Sequence, residues 1–193
     1  MQSGKFIVLE GIDGCGKTTV AKLLAPRLKA LVTREPTSIG AGRKIHNILR
    51  HRVKAPSPLE FQKLYIADRG EHLKRVITPA LAQGKNVICQ RYSLSTFAFG
   101  MAFGVAYDDL KHRVPKPDVT FLLDLPAKEA MKRIAKRNRS NEYFEKTKKL
   151  EKVRRQYRLL AKRKEFGEIV VLNALQTPRM LISQIDAVLS RRS

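Results

Sequence analysis

The stretch FIVLEGIDGCGKTTVAKLL, Phe6 to Leu24, sets a glycine-rich turn with one lysine between two apolar runs. Its spacing Gly11-x-x-x-x-Gly16-Lys17-Thr18 is that of a phosphate-binding loop. A phosphate chain must touch backbone N–H groups, so side chains would be in its way. Glycine removes them, permits the turn and leaves successive donors exposed. A helix starting near Lys17 adds the positive end of its dipole. Lys17 then reaches the β- and γ-phosphates as a mobile point charge, and the Thr18 hydroxyl can bind Mg²⁺. The ATP-binding segment is thus expected to comprise Gly11, Ile12, Asp13, Gly14, Cys15, Gly16, Lys17, Thr18 and Thr19. By composition alone the pattern arises by chance in roughly one chain in a hundred of this length, and the correct flanks lower that further. The turn implies a bound nucleoside triphosphate but not its fate, because kinases, motor ATPases and GTPase switches all use it.

The elements that must position this turn alternate along the chain. Strands are expected at Phe6 to Leu9, Ala30 to Thr33, Val87 to Cys89, Val119 to Leu125 and Ile169 to Leu172. Between them the pattern predicts helices over Thr18 to Lys29, Gly42 to Arg52, Ser57 or Pro58 to about Leu73 with a continuation ending at Gly84, Leu94 to Gly104, Lys128 to Lys136 and Phe144 to Lys164. Pro178 to Leu189 is a last helix. In the first helix Val20, Leu23, Leu24 and Leu28 form the expected core stripe. Short apolar strands alternating with helices are the signature of an α/β fold: a three-layer α/β/α arrangement around a five-stranded parallel sheet. No linker, repeat or low-complexity tract marks a second domain, so the 193 residues read as one domain with a lid segment at about 133–145.

Lys and Arg total 39 against 17 Asp and Glu, a formal net charge of +22. This points to an anionic partner or substrate. A solvated basic face, concentrated between Ala127 and Lys164, explains it equally well. No apolar run reaches membrane-spanning length. Two cysteines, Cys15 and Cys89, do not make a disulfide scaffold. A cytoplasmic protein without a leader or membrane segment is expected.

Other stretches follow the turn in a fixed order: TREPT (Thr33 to Thr37), LYIADRGEHL (Leu64 to Leu73), VICQRYSLSTFAFG (Val87 to Gly100) and FLLDLPAKEAMKRIAKR (Phe121 to Arg137). Together with the turn they resemble the thymidylate kinase family over most of the chain. The resemblance implies transfer of the γ-phosphate of ATP to dTMP, with Mg²⁺, in a homodimer. It implies that Asp13 lies near the metal and the acceptor, and that Arg91 grips the acceptor phosphate. It implies that Tyr65 stacks on the thymine ring while Arg69, one helical turn on, bonds the base. Glu35, Pro36, Thr96 and Phe99 line the acceptor pocket in the same reading. One family branch carries an arginine at position 14. Branches lacking it place catalytic arginines in the lid, which here nominates Arg137 and Arg139, with Arg133 on the ATP. With Lys17, Asp13 and Arg91 these complete the implied catalytic set.

Two departures stand out. The family normally has Asp before the Arg-Tyr pair, where this chain has Gln90, which can still meet the metal through a water but brings no charge. Tyr143 stands where many relatives have a lid arginine. Related acceptors such as dUMP or a deoxynucleoside, and a low-activity nucleotide-binding paralogue, remain open alternatives. A nucleic-acid-dependent ATPase has only the charge in its favour, since no aromatic series interleaves with the basic run.

Overall fold

The computed structural model describes residues 4–136 and 147–191. The expected lid residues Arg137, Arg139 and Tyr143 lie outside the described residues. Five strands, β1 (Phe6–Glu10), β2 (Leu31–Arg34), β3 (Val87–Gln90), β4 (Val119–Asp124) and β5 (Ile169–Asn173), form one sheet in the order β2-β3-β1-β4-β5. All neighbouring pairs are parallel. The central strands β1, β3 and β4 are mostly apolar and buried on both faces. On β1, Ile7 and Leu9 join one core cluster while Phe6 and Val8 join another, so both faces of the sheet are covered. The two edge strands are more open: Leu31 and Val32 of β2 and Val171 of β5 are exposed.

The helices are α1 (Lys17–Leu28), α2 (Gly40–Leu49), α3 (Pro58–His72), α4 (Thr78–Ala82), α5 (Ser93–Ala102), α6 (Ala127–Ala135), α7 (Thr147–Leu160) and α8 (Pro178–Ser190). The α/β/α reading stands, and the differences from the sequence reading have local causes. Helix α2 starts two residues early and stops three early, because Gly42 is inside it rather than at its edge. A Cβ there would sit against the Thr37 carbonyl and the Asp68 carboxylate, so the glycine permits close helix-to-loop packing. The long helix opened by Ser57, whose Oγ accepts from Glu60 N, widens into a π turn at Leu73–Ile77 before α4. Thr78 N–H bonds Leu73 O, five residues back, just before Pro79, whose ring cannot supply the next N–H.

Helix α1 buries Val20, Ala21 and Leu24, but Leu23 is 44% exposed and not in the core. It is rotated off the buried stripe and instead lines a groove with Ile182 of α8. Helix α7 ends at Leu160, the last buried position of its stripe, and Lys164 belongs to a separate 3₁₀ turn. The basic residues Lys148, Lys152, Arg155 and Arg158 of α7 face solvent, while Leu150, Val153, Tyr157 and Leu160 pack inward. Much of the basic excess in this segment is therefore a solvated face.

Phe121, fully buried, pairs with Leu9 of β1 on one side and Val170 of β5 on the other. Phe121→Ala should destabilise the fold by about 3–5 kcal/mol and lower Tm by roughly 6–20 °C in calorimetry.

Candidate active site

The parallel register brings the carboxyl ends of β1, β2 and β3 into one row, with Leu9 opposite Gln90 and Arg34 opposite Gln90 on the other side. Open parallel sheets bind ligands at this edge. The glycine-rich turn leaves β1 here and runs into α1. Gly14 has φ +80, and a Cβ on it would lie 2.7 Å from Ala130 O of α6, so the turn is wedged against that helix. Lys17 is folded back over the turn, with Nζ donating to Gly11 O at 2.8 Å and Ile12 O at 2.9 Å. Burial, with the nearby Arg91 charge, lowers the Lys17 pKa below that of an ordinary lysine. A polyanion in the turn would compete for this ammonium and restore its charge.

Thr18 is exposed at the start of α1, and its hydroxyl donates to Gln90 Oε1 at 2.8 Å. With its proton so committed, Thr18 Oγ1 turns its lone pairs outward, which suits a hard cation. These residues therefore fit Mg²⁺: Thr18 as a direct ligand, with Gln90 and Asp13 beside it.

Arg91 follows β3 in a left-handed conformation, φ 69, which bulky residues avoid. Its N–H bonds Leu9 O. Its Nη2 pairs with Asp13 Oδ1 across the site at 2.5 Å, and its guanidinium lies 4.9 Å from the Phe99 ring centre. Burial opposes the charge on Arg91, and the Asp13 carboxylate with Tyr157 and Glu10 outweighs it, so the guanidinium pKa is raised.

Behind Arg91 sits Glu10, fully buried at the end of β1. Its carboxylate accepts from Tyr92 N at 2.8 Å, Ser95 N at 3.1 Å, Ser95 Oγ at 2.6 Å and Tyr157 Oη at 3.0 Å. Burial raises its pKa, partly offset by these donors. Arg91 Nη1 donates to Ser95 Oγ and Tyr157 Oη, both at 3.3 Å. An arginine can only donate, so the two hydroxyls relay its orientation to Glu10. Neither Glu10, Ser95 nor Tyr157 was among the sequence candidates. The available signal was a glutamate ending an otherwise wholly apolar strand.

Beside this cluster, α3 and the loop after β2 build a second one. Asp68 accepts from Thr37 N at 2.9 Å and from Thr37 Oγ1 at 2.5 Å, which pins the TREPT loop. Arg69 donates from Nε and Nη2 to Glu35 Oε2, at 2.9 and 2.7 Å, and from Nη2 to Thr96 Oγ1 at 3.1 Å. Both members of the Arg69–Glu35 pair are 1% exposed. Its guanidinium also lies 5.0 Å from the Tyr92 ring centre. Tyr65, one turn earlier on α3, is half-buried and meets Phe61 edge-on. Pro36 follows Glu35 through a cis peptide bond. On the far side of the turn, Arg133 Nη2 donates to Ala174 O at 2.9 Å, beside the end of β5.

Glu35, His72 and Cys89 bring ligand atoms within 4.8 Å of one another, a candidate metal cluster by composition. Each is already engaged. His72 Nδ1 meets Glu35 Oε1 at 3.3 Å and its Nε2 meets Thr33 Oγ1 at 2.6 Å, while Cys89 Sγ donates to Arg91 O. Burial and the neighbouring Glu35 carboxylate push the Cys89 thiol well up, against the thiolate a metal needs. The cluster is hydrogen-bonded support for Glu35.

The family model described as thymidylate kinase matches residues 9–185. The chain belongs to the thymidylate kinase family. Among curated relatives, the probable thymidylate kinase of Pyrococcus horikoshii is 41% identical, covering 96% of this chain and 95% of its own. The thymidylate kinase of Desulfotalea psychrophila is 36% identical, with 96% of each chain covered. The solved thymidylate kinase of Candida albicans superposes with a TM-score of 0.83 over 98% of this chain and 92% of its own, at 22% identity, and so shares the fold. Within this thymidylate kinase fold the structure brings Asp13, Lys17, Thr18, Gln90 and Arg91 together at one strand end, and Glu35, Arg69 and Thr96 together beside them.

Glu35→Gln would leave the Arg69 charge buried without its anion. The variant should lose about 3–5 kcal/mol of stability, read from urea unfolding, a loss that surface ion pairs do not produce.

Proposed function

We propose that this member of the thymidylate kinase family transfers the γ-phosphate of ATP to dTMP, giving ADP and dTDP, with Mg²⁺. The observation that carries the reading is the Asp13–Arg91 pair. It joins the phosphate-binding turn to the arginine at the end of β3, so donor and acceptor phosphates would meet across it.

In this reading Lys17 leaves the Gly11 and Ile12 carbonyls for the β- and γ-phosphates, and the turn's N–H groups hold the chain. Thr18 directly, and Gln90 and Asp13 around it, would hold Mg²⁺, which supplies charge neutralisation between the β- and γ-phosphates. Arg91 exchanges part of its pairing with Asp13 for the acceptor phosphate, without moving far, because Ser95 and Tyr157 hold its other arm. An acceptor phosphate oxygen forms the new bond to the γ-phosphorus as the bond to the β,γ-bridging oxygen breaks, and the electron pair leaves on ADP. The attacking oxygen is already anionic, so no general base is required. Arg137 and Arg139 are the proposed lid arginines that stabilise charge on the transferred group. Arg133 is assigned to the bound ATP. Tyr65 stacks on the acceptor base, Arg69 offers a donor to it, and Pro36, Thr96 and Phe99 close the pocket around it. A homodimer and a cytoplasmic setting complete the reading.

Gln90 favours a second reading, a slow enzyme or a nucleotide-binding relative. It preserves the hydrogen bond to Thr18 but supplies no negative charge to a cation.

A coupled assay with ATP, Mg²⁺ and a panel of nucleoside monophosphates should give its highest kcat/KM with dTMP; preference for another acceptor or no turnover would overturn the assignment. In the same assay Lys17→Ala should lower kcat by about a hundredfold or more. Gln90→Asp should raise kcat or lower the Mg²⁺ concentration needed for half-maximal rate. If neither moves, position 90 has no part in metal binding.

A further inference from the structure

The Arg69 guanidinium has a third partner that the catalytic account does not use. His112 lies in the connector between the 3₁₀ turn at Asp108–Leu110 and β4, far from the phosphate-binding turn in sequence. Arg69 Nη1 lies 2.8 Å from His112 Nε2. An arginine has no acceptor, so Nε2 must present a lone pair. The other ring nitrogen, Nδ1, lies 2.7 Å from Leu110 O, which can only accept, so Nδ1 carries the proton. The two contacts together fix one neutral tautomer. The ring plane is fixed as well, since His112 stacks on Phe97 of α5 at 5.7 Å and 18°.

These bonds leave Arg69 little freedom. Its five N–H donors include one on Nε and one on Nη2 to Glu35, one on Nη2 to Thr96 and one on Nη1 to His112. Among the described residues, the second Nη1 donor is the one left to offer a base carbonyl. The guanidinium is a planar fork, so this donor's direction follows from how the whole group is held, and His112 is the partner that holds it on the Nη1 side.

We infer that His112 is a positioning residue for the acceptor pocket: as a neutral acceptor it aims Arg69 at the acceptor base, and its protonation withdraws that support and weakens acceptor binding. The inference rests on the proposed placement of the acceptor beside Arg69. A protonated ring would set N–H against N–H and a cation against a cation. The charged groups facing His112 are the Arg69 guanidinium from α3 and, beyond it, the Glu35 carboxylate of the TREPT loop. Phe97 of α5 contributes only its ring, and the sequence neighbours Lys111 and Arg113 are exposed. Burial, with the Arg69 charge adding to it, lowers the His112 pKa despite the bond to Leu110 O and the Glu35 charge. The folded protein therefore binds this proton more weakly than the unfolded chain. The neutral state persists at neutral pH, and the stability it confers is lost as pH falls below the ordinary imidazole value.

The test is dTMP affinity, by calorimetry, and KM for dTMP between pH 5.5 and 8, for the wild type, His112→Gln and His112→Leu. In glutamine, Oε1 can take the place of Nε2 and does not titrate. The wild type should lose several-fold in dTMP affinity toward pH 5.5, with kcat at saturating dTMP and KM for ATP changing less. His112→Gln should keep the neutral-pH affinity within about twofold and make the pH profile shallower than that of the wild type, leaving only the fall that protonation of the dTMP phosphate, pKa about 6, gives every variant. His112→Leu should weaken dTMP binding by about tenfold at neutral pH, in line with a lost hydrogen bond to a charged group, and by less toward pH 5.5. A His112→Gln profile that falls at acid pH as steeply as that of the wild type, or a His112→Leu variant that binds dTMP as the wild type does, overturns the inference. If no nucleoside monophosphate binds even to the wild type, the functional reading fails first. The ring state then decides the positioning claim: ¹⁵N NMR should show His112 neutral with the proton on Nδ1 at pH 7, and a charged ring or an Nε2-protonated one refutes it.

Discussion

A carboxylate sealed from water has to be surrounded by donors, and the whole site is arranged around one. Glu10 ends the central strand β1 and is fully buried. Its four hydrogen bonds reach the end of β3, the first turn of α5 and the middle of α7. An unsatisfied carboxylate there would be strongly destabilising, so its partners are not interchangeable. By satisfying Glu10 they also fix the two hydroxyls that hold Arg91, and through Arg91 the position of Asp13. The chemistry at the phosphate-binding turn thus inherits its geometry from a group that touches no phosphate.

The cluster around Arg69 repeats this logic with the signs exchanged. Arg69 is a buried cation, and Glu35, Thr96, Tyr92 and His112 surround it. Asp68 and Arg69 are consecutive on α3, yet one pins Thr37 and the other binds Glu35, so a single stretch of helix locks the middle and the far end of the TREPT loop. By contrast, pairs such as Lys63–Glu60 and Lys132–Glu129 are exposed, i to i+3, and contribute little. The large basic excess therefore bears on solubility and on the encounter with nucleotide polyanions more than on folding.

What the sequence disclosed follows from how local each signal is. The phosphate-binding turn, the five strands and the helix start at Ser57 or Pro58 are written in neighbouring residues and could be read directly. Tyr65 and Arg69 were legible as one helical face because a single turn separates them. The Glu10–Tyr157 bond spans 147 positions and the Arg69–His112 bond 43, and nothing in a one-dimensional pattern announces such pairings. Leu23 misled because an apolar residue one step off a stripe looks like part of it. Gly42 misled because glycine signals a loop and close packing alike.

The contact between Gly14 and α6 carries a consequence for ancestry. A side chain at position 14 would run into the Ala130 carbonyl from a backbone already at positive φ. A lineage holding this arrangement could not acquire an arginine in the turn by one replacement; α6 would first have to retreat. The choice between charge supplied from the turn and charge supplied from elsewhere is therefore a historical ratchet, set by the seating of one helix.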